Sequence, residues 1–243
     1  MLKSILRHPL LKSGTVLRGS SRTLSQEFAK HDNLAFSILK EEDGDEVEQF
    51  MYTHFFPREP LNIACGSSNH QNRPYIKNDF LPSGLCVAAR EKDTNTLVAV
   101  TLSSKKDRNQ KTDMYGITTY THPGMIRLCR VVSHMYEAYD CFSDPGMQRV
   151  LNLGLIGVHP SHAKRGIGKR LTKMCEDLAI SKGCQGSTAQ AMNPDSKKIL
   201  LNLGYKSVYS ILAEEITYNN EKLFRKEEGL TSPLEVFFKH LNY

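Results

Sequence analysis

The stretch that decides the architecture is Val158-His159-Pro160-Ser161-His162-Ala163-Lys164-Arg165-Gly166-Ile167-Gly168-Lys169-Arg170-Leu171. An apolar run, Val150 to Val158, leads into it and reads as a strand. Gly154 and Gly157 lie inside that run, which predicts a bulge or a close backbone approach by a ligand. From Gly166 to Ser181 the residues Ile167, Leu171, Met174, Cys175, Leu178 and Ala179 fall on one helical stripe, and Gly183 closes the helix. The stretch is therefore strand, basic loop, helix. The first amides of a helix have no internal acceptor and sit at its positive end. Glycines let that backbone approach an anion closely, so a pyrophosphate is the natural guest. The candidate binding residues are Ile156, Gly157 and Val158 at the strand end, with Lys164, Arg165, Gly166, Ile167, Gly168 and Lys169 in the turn. The alternative is a basic helix start on a solvated face. The spacing is neither a P-loop nor a dinucleotide fingerprint.

Working outward, Gln185 to Ala191 reads as a strand. Pro194 to Leu203 reads as a helix with proline at its start and Gly204 at its end. Tyr205 to Thr217 and Leu234 to Phe238 read as further strands. Upstream, Ala35 to Leu39 predicts a first strand, and Val47, Phe50, Met51 and His54 predict a helix that ends at Phe55-Phe56-Pro57. Gly66 to Gly84 reads as loop. Leu85 to Ala89 and Leu97 to Leu102 predict a hairpin, and Ser103 to Tyr120 a polar surface loop. Leu128, Val131, Val132, Met135 and Tyr139 mark another helix after Pro123-Gly124. This order predicts an α/β chain with a mixed sheet and helices on both faces.

The chain has 243 residues, 24% of them charged, and a net charge of +6. Residues 1–30 hold Lys3, Arg7, Lys12, Arg18, Arg22 and Lys30 against Glu27 alone. The remainder is nearly neutral, which argues against a general polyanion binder, and there is no groove-reading motif. Nucleic acid is therefore not an expected partner. No apolar run approaches the roughly 18 residues that span a bilayer, so no membrane partner is expected either. Residues 1–32 read as a basic leader, rich in Arg and Ser like a mitochondrial transit peptide although Pro9 interrupts it, and residues 33–243 as a single domain. The expected location is the cytoplasm, with the mitochondrion as the alternative. The six cysteines form no C-x-x-C pair and read as buried thiols, and no metal is expected.

In these residues the chain resembles the GNAT superfamily of N-acetyltransferases, over roughly residues 34–240. The stretch from Ala163 to Gly168 is similar to its [R/Q]-x-x-G-x-[G/A] motif, with Gly166 and Gly168 matching and Ala163 in place of Arg or Gln. Leu203-Gly204-Tyr205 resembles its L-G-[F/Y]. The resemblance implies a GNAT-like, mostly antiparallel central sheet and acetyl-CoA as cosubstrate.

Phe55-Phe56-Pro57-Arg58-Glu59-Pro60-Leu61 is similar to the F-F-x-x-E-P-[L/M] segment of insect-type arylalkylamine N-acetyltransferases. That resemblance implies transfer of acetyl to a small arylalkylamine such as dopamine, serotonin or tyramine, with Glu59 as general base. Ser196 matches a family serine eight residues before Gly204, and a second family serine falls on Met192. The Tyr that many other GNAT enzymes use as an acid would fall near Leu200. Ser196 is thus a candidate donor to the leaving thiolate, or simply a helix cap. The oxyanion donor is expected near the Val158 amide. His54 and His134 are alternative bases or packed rings. Phe55, Phe56, Tyr136 and Tyr139 are candidates for stacking or for the core. Other expectations are a GNAT enzyme acting on polyamines or protein amines, and a degenerate domain that binds CoA without catalysis.

Overall fold

The computed structural model describes residues 33–110, 120–224, 230 and 232–241. The basic leader, and the targeting expectation that goes with it, lie outside the described residues.

The main sheet has seven strands: β1 Leu34–Ile38, β2 Val87–Glu91, β3 Leu97–Asp107, β4 Arg149–Val158, β5 Gly186–Ala191, β6 Lys206–Ile211 and β9 Leu234–His240. Their spatial order is β1-β2-β3-β4-β5-β9-β6. Only the β4–β5 pair is parallel; every other neighbour pair in this sheet is antiparallel. The remaining two strands, β7 Thr217–Tyr218 and β8 Glu221–Lys222, form a separate hairpin. Asn219 and Asn220 between them have φ of 51° and 64°, as a two-residue turn with both central residues left-handed requires.

Among the described residues, five helices flank the sheet: α1 Gly44–His54, α2 Pro60–Cys65, α3 Pro123–Glu137, α4 Ile167–Ser181 and α5 Pro194–Asn202. One core layer packs Val47, Met51, Phe56, Met125, Val131 and Met135 together with Val236 of β9. The other packs Ile167, Leu171, Cys175 and Leu200 together with Phe237. Val236 and Phe237 are neighbours in β9, so the two layers lie on opposite faces of the sheet. Residues Leu97 to Ser103 of β3 are all buried, as expected of a strand covered on both sides. The expected mixed sheet with helices on both faces is thus the fold found.

Two expectations need correction. Ser103 to Asp107 is not loop but the second half of β3, because its backbone pairs with Leu153 to Arg149 of β4. Residues 111–119 of the expected loop lie outside the described residues. Tyr205 to Thr217 is not one strand: Ala213 and Ile216 turn into the core, and a short 3-10 helix, Ala213–Glu215, breaks it. The loop stretch from Gly66 to Gly84 also holds a helical turn at Ile76–Phe80. All six cysteines are buried and none forms a disulfide.

Candidate active site

The site begins where strand pairing stops. The parallel ladder between β4 and β5 runs from Val150↔Gly186 to Leu153↔Ala189 and ends. Both strands continue, but β4 has lost its partner on that side. At Gly154, β4 also carries one extra residue against β3, since Leu102 pairs with Leu155 and Ser103 with Leu153. The predicted bulge is there. A Cβ on Gly154 would fall 2.4 Å from Phe80 Cζ, so the close approach at this glycine is to a core ring.

Beyond the bulge, His159 N donates to Val98 O at 2.8 Å. That makes the Val158↔Ala99 pair the non-bonded kind in the antiparallel ladder. The backbone N–H and C=O of Val158, and by alternation those of Ile156, point away from β3 into the gap left by β5. Gly157 points the other way, and a Cβ there would meet Phe50 and Met51 of α1. Ile156 and Val158 line a cavity of about 820 Å³, whereas Gly157 does not.

The basic turn forms one end of this cavity. Lys164 and Gly166 both have positive φ, 59° and 84°, and α4 starts at Ile167. The first bond of the helix is Arg170 N to Gly166 O, so the Ile167, Gly168 and Lys169 amides stand before it at the positive end of the helix. Lys164, Gly166, Ile167, Gly168 and Lys169 line the cavity. The other two cations of the turn are directed elsewhere. Arg165 Nη2 donates to Asn33 Oδ1 at 3.2 Å, and the Arg170 guanidinium lies 3.9 Å from the centre of the Phe36 ring. A Cβ on Gly168 would come within 3.0 Å of Ile199 Cδ1, so this glycine lets α4 approach α5.

Glu59 lines the same cavity. Its backbone is extended, Pro60 follows at the first helical position, and its carboxylate caps α2. Glu59 Oε2 accepts from Asn62 N and from Asn62 Nδ2, each at 2.7 Å. Oε1 takes no hydrogen bond among the described residues. Arg58 ties this corner to the sheet: its Nε donates to His54 O at 2.8 Å and its Nη2 to Val158 O at 3.4 Å.

Ser196, in the first turn of α5, also lines the cavity. It does not cap the helix, because Asn193 Oδ1 does so by accepting from Asp195 N at 2.8 Å. Met192 is buried in the same wall. His54 lines the cavity 4.4 Å, ring to ring, from His159. Burial, and then the nearby His159 and Arg58, hold its pKa below 6.5, so it is neutral at neutral pH. His134 is directed elsewhere, with Nε2 3.2 Å from Tyr209 Oη. Phe55, Phe56 and Tyr136 line the cavity, while Tyr139 packs on Phe238.

Sequence reasoning missed Asn62 and Tyr75 of the cavity wall. Asn62 sits in a six-residue helix too short to show a period, whose one local mark is Glu-Pro at its start. Among the described residues no cluster of His, Cys, Asp or Glu could hold a metal ion, and no helix is long and apolar enough to cross a membrane.

Residues 49–205 match the family model described as the acetyltransferase (GNAT) family. The chain belongs to that family. The solved structure of arylalkylamine N-acetyltransferase 2 from Aedes aegypti superimposes with a TM-score of 0.76 at 18% identity, covering 86% of this chain and all of that one. A Drosophila melanogaster polyamine N-acetyltransferase gives a TM-score of 0.73 at 18% identity over the same shares. A mosquito arylalkylamine N-acetyltransferase like 5b gives 0.72 at 14%. At these identities the structural likeness speaks for the GNAT fold alone. The outward β4 edge and the open turn before α4 are thus features of a GNAT acetyltransferase.

Proposed function

We propose that this GNAT chain transfers acetyl from acetyl-CoA to the primary amine of a small arylalkylamine, with Glu59 as general base. One observation carries the reading: Glu59, the outward edge of β4 and the first turn of α4 share one cavity.

The residues of the cavity support acetyl-CoA as the cosubstrate. Its pyrophosphate would meet the amides of Ile167, Gly168 and Lys169, with Lys164 and Lys169 adding charge. The backbone of Ile156 and Val158 offers an unpaired strand edge to the amides of its flexible arm. The Val158 N–H is then placed to donate to the oxygen on which charge develops. The cavity is also lined by Phe55, Phe56, Tyr75, Met125, Leu128 and Met135, apolar side chains that suit an aromatic ring.

An alkylamine titrates near the lysine value of about 10.4, so making the neutral nucleophile at pH 7 costs roughly 4 kcal/mol. A positioned base offsets much of this, on the order of 10²–10⁴ in rate. Glu59 takes the proton from the ammonium directly or through water. The neutral nitrogen then attacks the thioester carbonyl, the C–S bond breaks as the carbonyl re-forms, and the proton the nitrogen sheds passes to the departing thiolate, with Ser196 a hydroxyl in the same cavity that can relay it.

The test is to incubate the chain with acetyl-CoA and each of dopamine, serotonin, tyramine, tryptamine and spermidine, and to follow free thiol. Turnover should be highest on an arylalkylamine, and Glu59→Gln should lower it about tenfold or more with acetyl-CoA affinity retained. Preference for spermidine would overturn the substrate assignment. Binding of acetyl-CoA with no turnover on any amine would replace the enzyme reading with a CoA-binding domain.

A further inference from the structure

Arg73 is a buried cation with no anion beside it. It is 1% exposed, and its guanidinium lies 3.8 Å from the centre of the Phe56 ring. Nε donates to His70 O at 3.1 Å, Nη1 to Tyr75 Oη at 3.2 Å, and Nη2 to Ser67 O at 2.6 Å. These acceptors are neutral, and no carboxylate lies within ion-pair distance of Arg73 among the described residues. A buried charge of this kind is costly unless an opposite charge answers it.

The hydrogen bonds lead to one. Ser67 Oγ shares its proton between Asn62 Oδ1 at 3.1 Å and Asn62 O at 3.2 Å, and Asn62 Nδ2 donates to Glu59 Oε2 at 2.7 Å. Ser67 and Asn62 are 0% and 5% exposed, so water does not screen the chain. The path changes groups at Ser67: Arg73 holds its main-chain carbonyl, and its hydroxyl in turn holds Asn62, whose side-chain amide holds the carboxylate. A second path runs by Tyr75, which takes Arg73 Nη1 and lines the cavity beside Glu59.

We infer that Arg73 is the positioning cation of Glu59: it fixes the Ser67 main chain, the Ser67 hydroxyl fixes Asn62, and the Asn62 amide fixes the carboxylate. The inference rests on Glu59 being the base. Arg73 does not touch the cavity; it acts only through the groups in front of it.

The experiment is a double-mutant cycle on turnover, with acetyl-CoA KM and thermal midpoint measured alongside. Arg73→Met should lower kcat about tenfold, with the acetyl-CoA KM within about twofold. In the Glu59→Gln background, Arg73→Met should change kcat little, because the group it serves is already gone. Ser67→Ala cuts the same chain while removing only a hydroxyl. It should lower kcat about threefold in the wild-type background and not in Glu59→Gln, and it answers the question if Arg73→Met does not fold. A kcat unchanged in Ser67→Ala, or losses that multiply with Glu59→Gln, would overturn the inference. A full rate in Glu59→Gln alone would instead sink the base assignment and the inference with it.

Discussion

Asn62 binds Glu59 twice on a single oxygen, Oε2, once through its backbone N–H and once through its side-chain amide. The two bonds have different jobs. The backbone bond is the cap of α2, and it survives any substitution at position 62 that keeps the helix. The side-chain bond fixes the rotation of the carboxylate. Asn62→Ala should therefore leave the fold in place, with acetyl-CoA affinity within about twofold, while kcat falls about tenfold for loss of one charge-assisted hydrogen bond. Steady-state kinetics at saturating acetyl-CoA would measure this. An equal loss in acetyl-CoA affinity would show that position 62 shapes the whole cavity rather than the base.

Gly166 has φ of 84° and stands immediately before the first amides of α4. Gly166→Glu should raise the Kd for acetyl-CoA about tenfold or more, since it forces a side chain into the left-handed region and sets a carboxylate where the pyrophosphate would bind. Gly183 supplies the control. It closes the same helix with φ of 78° and has nothing within 4 Å of an added Cβ. Gly183→Ala should share the strain and spare the affinity. Calorimetric titration of both variants with acetyl-CoA separates loss of the site from general destabilisation.

The local grammar of the chain made much of this legible and left the rest hidden. Gly166, Gly183, Pro194 and Gly204 mark helix ends by backbone conformation, which is a property of the residue itself, so α4 and α5 could be read directly. Ser103 to Asp107 could not, because its state is decided by the partner strand β4 and its polar side chains argue for loop. The cleft was hidden for the same reason: it exists where β4–β5 pairing stops at Leu153↔Ala189, a relation between distant segments. Glu59 was named from the resemblance of its segment, and the fold sets it in the cavity wall. The chain behind it was not, since Ser67 and Arg73 sit in a stretch without period and meet Asn62 only through the fold.

His70 carries a pH consequence. Its Nε2 is buried with no hydrogen-bond partner among the described residues, and its ring stacks on His122 at 4.7 Å. Burial, and then the neighbouring His122 and Arg73, hold its pKa below 6.5. As pH falls below 6.5 the unfolded chain takes up this proton before the folded one, so stability drops from that point downward toward the folded value. The carboxylates held low by lysine, Asp45 and Glu235, act only at more acid pH. The thermal midpoint should thus fall between pH 7 and pH 5, and His70→Asn should fall less over the same interval. Parallel curves for the two proteins would show that His70 is not a source of the acid sensitivity.

Gly154 tests whether the cleft depends on the bulge. An added Cβ would lie 2.4 Å from Phe80 Cζ and 3.1 Å from Leu102 O. The ring is itself buried, so it cannot swing into solvent to make room. Overpacking of this kind costs on the order of 1–3 kcal/mol. For a chain of this size that corresponds to a fall of roughly 2–10 °C in the thermal midpoint of Gly154→Ala. Because Gly154 is the extra residue that sends β4 past β5, acetyl-CoA affinity should fall with it. Phe80→Leu removes the clashing ring atoms, so the double variant Gly154→Ala/Phe80→Leu should recover part of the midpoint lost in Gly154→Ala. Recovery of stability without recovery of affinity would mean that the bare backbone at Gly154, and not only its packing, shapes the outward edge at Ile156 and Val158.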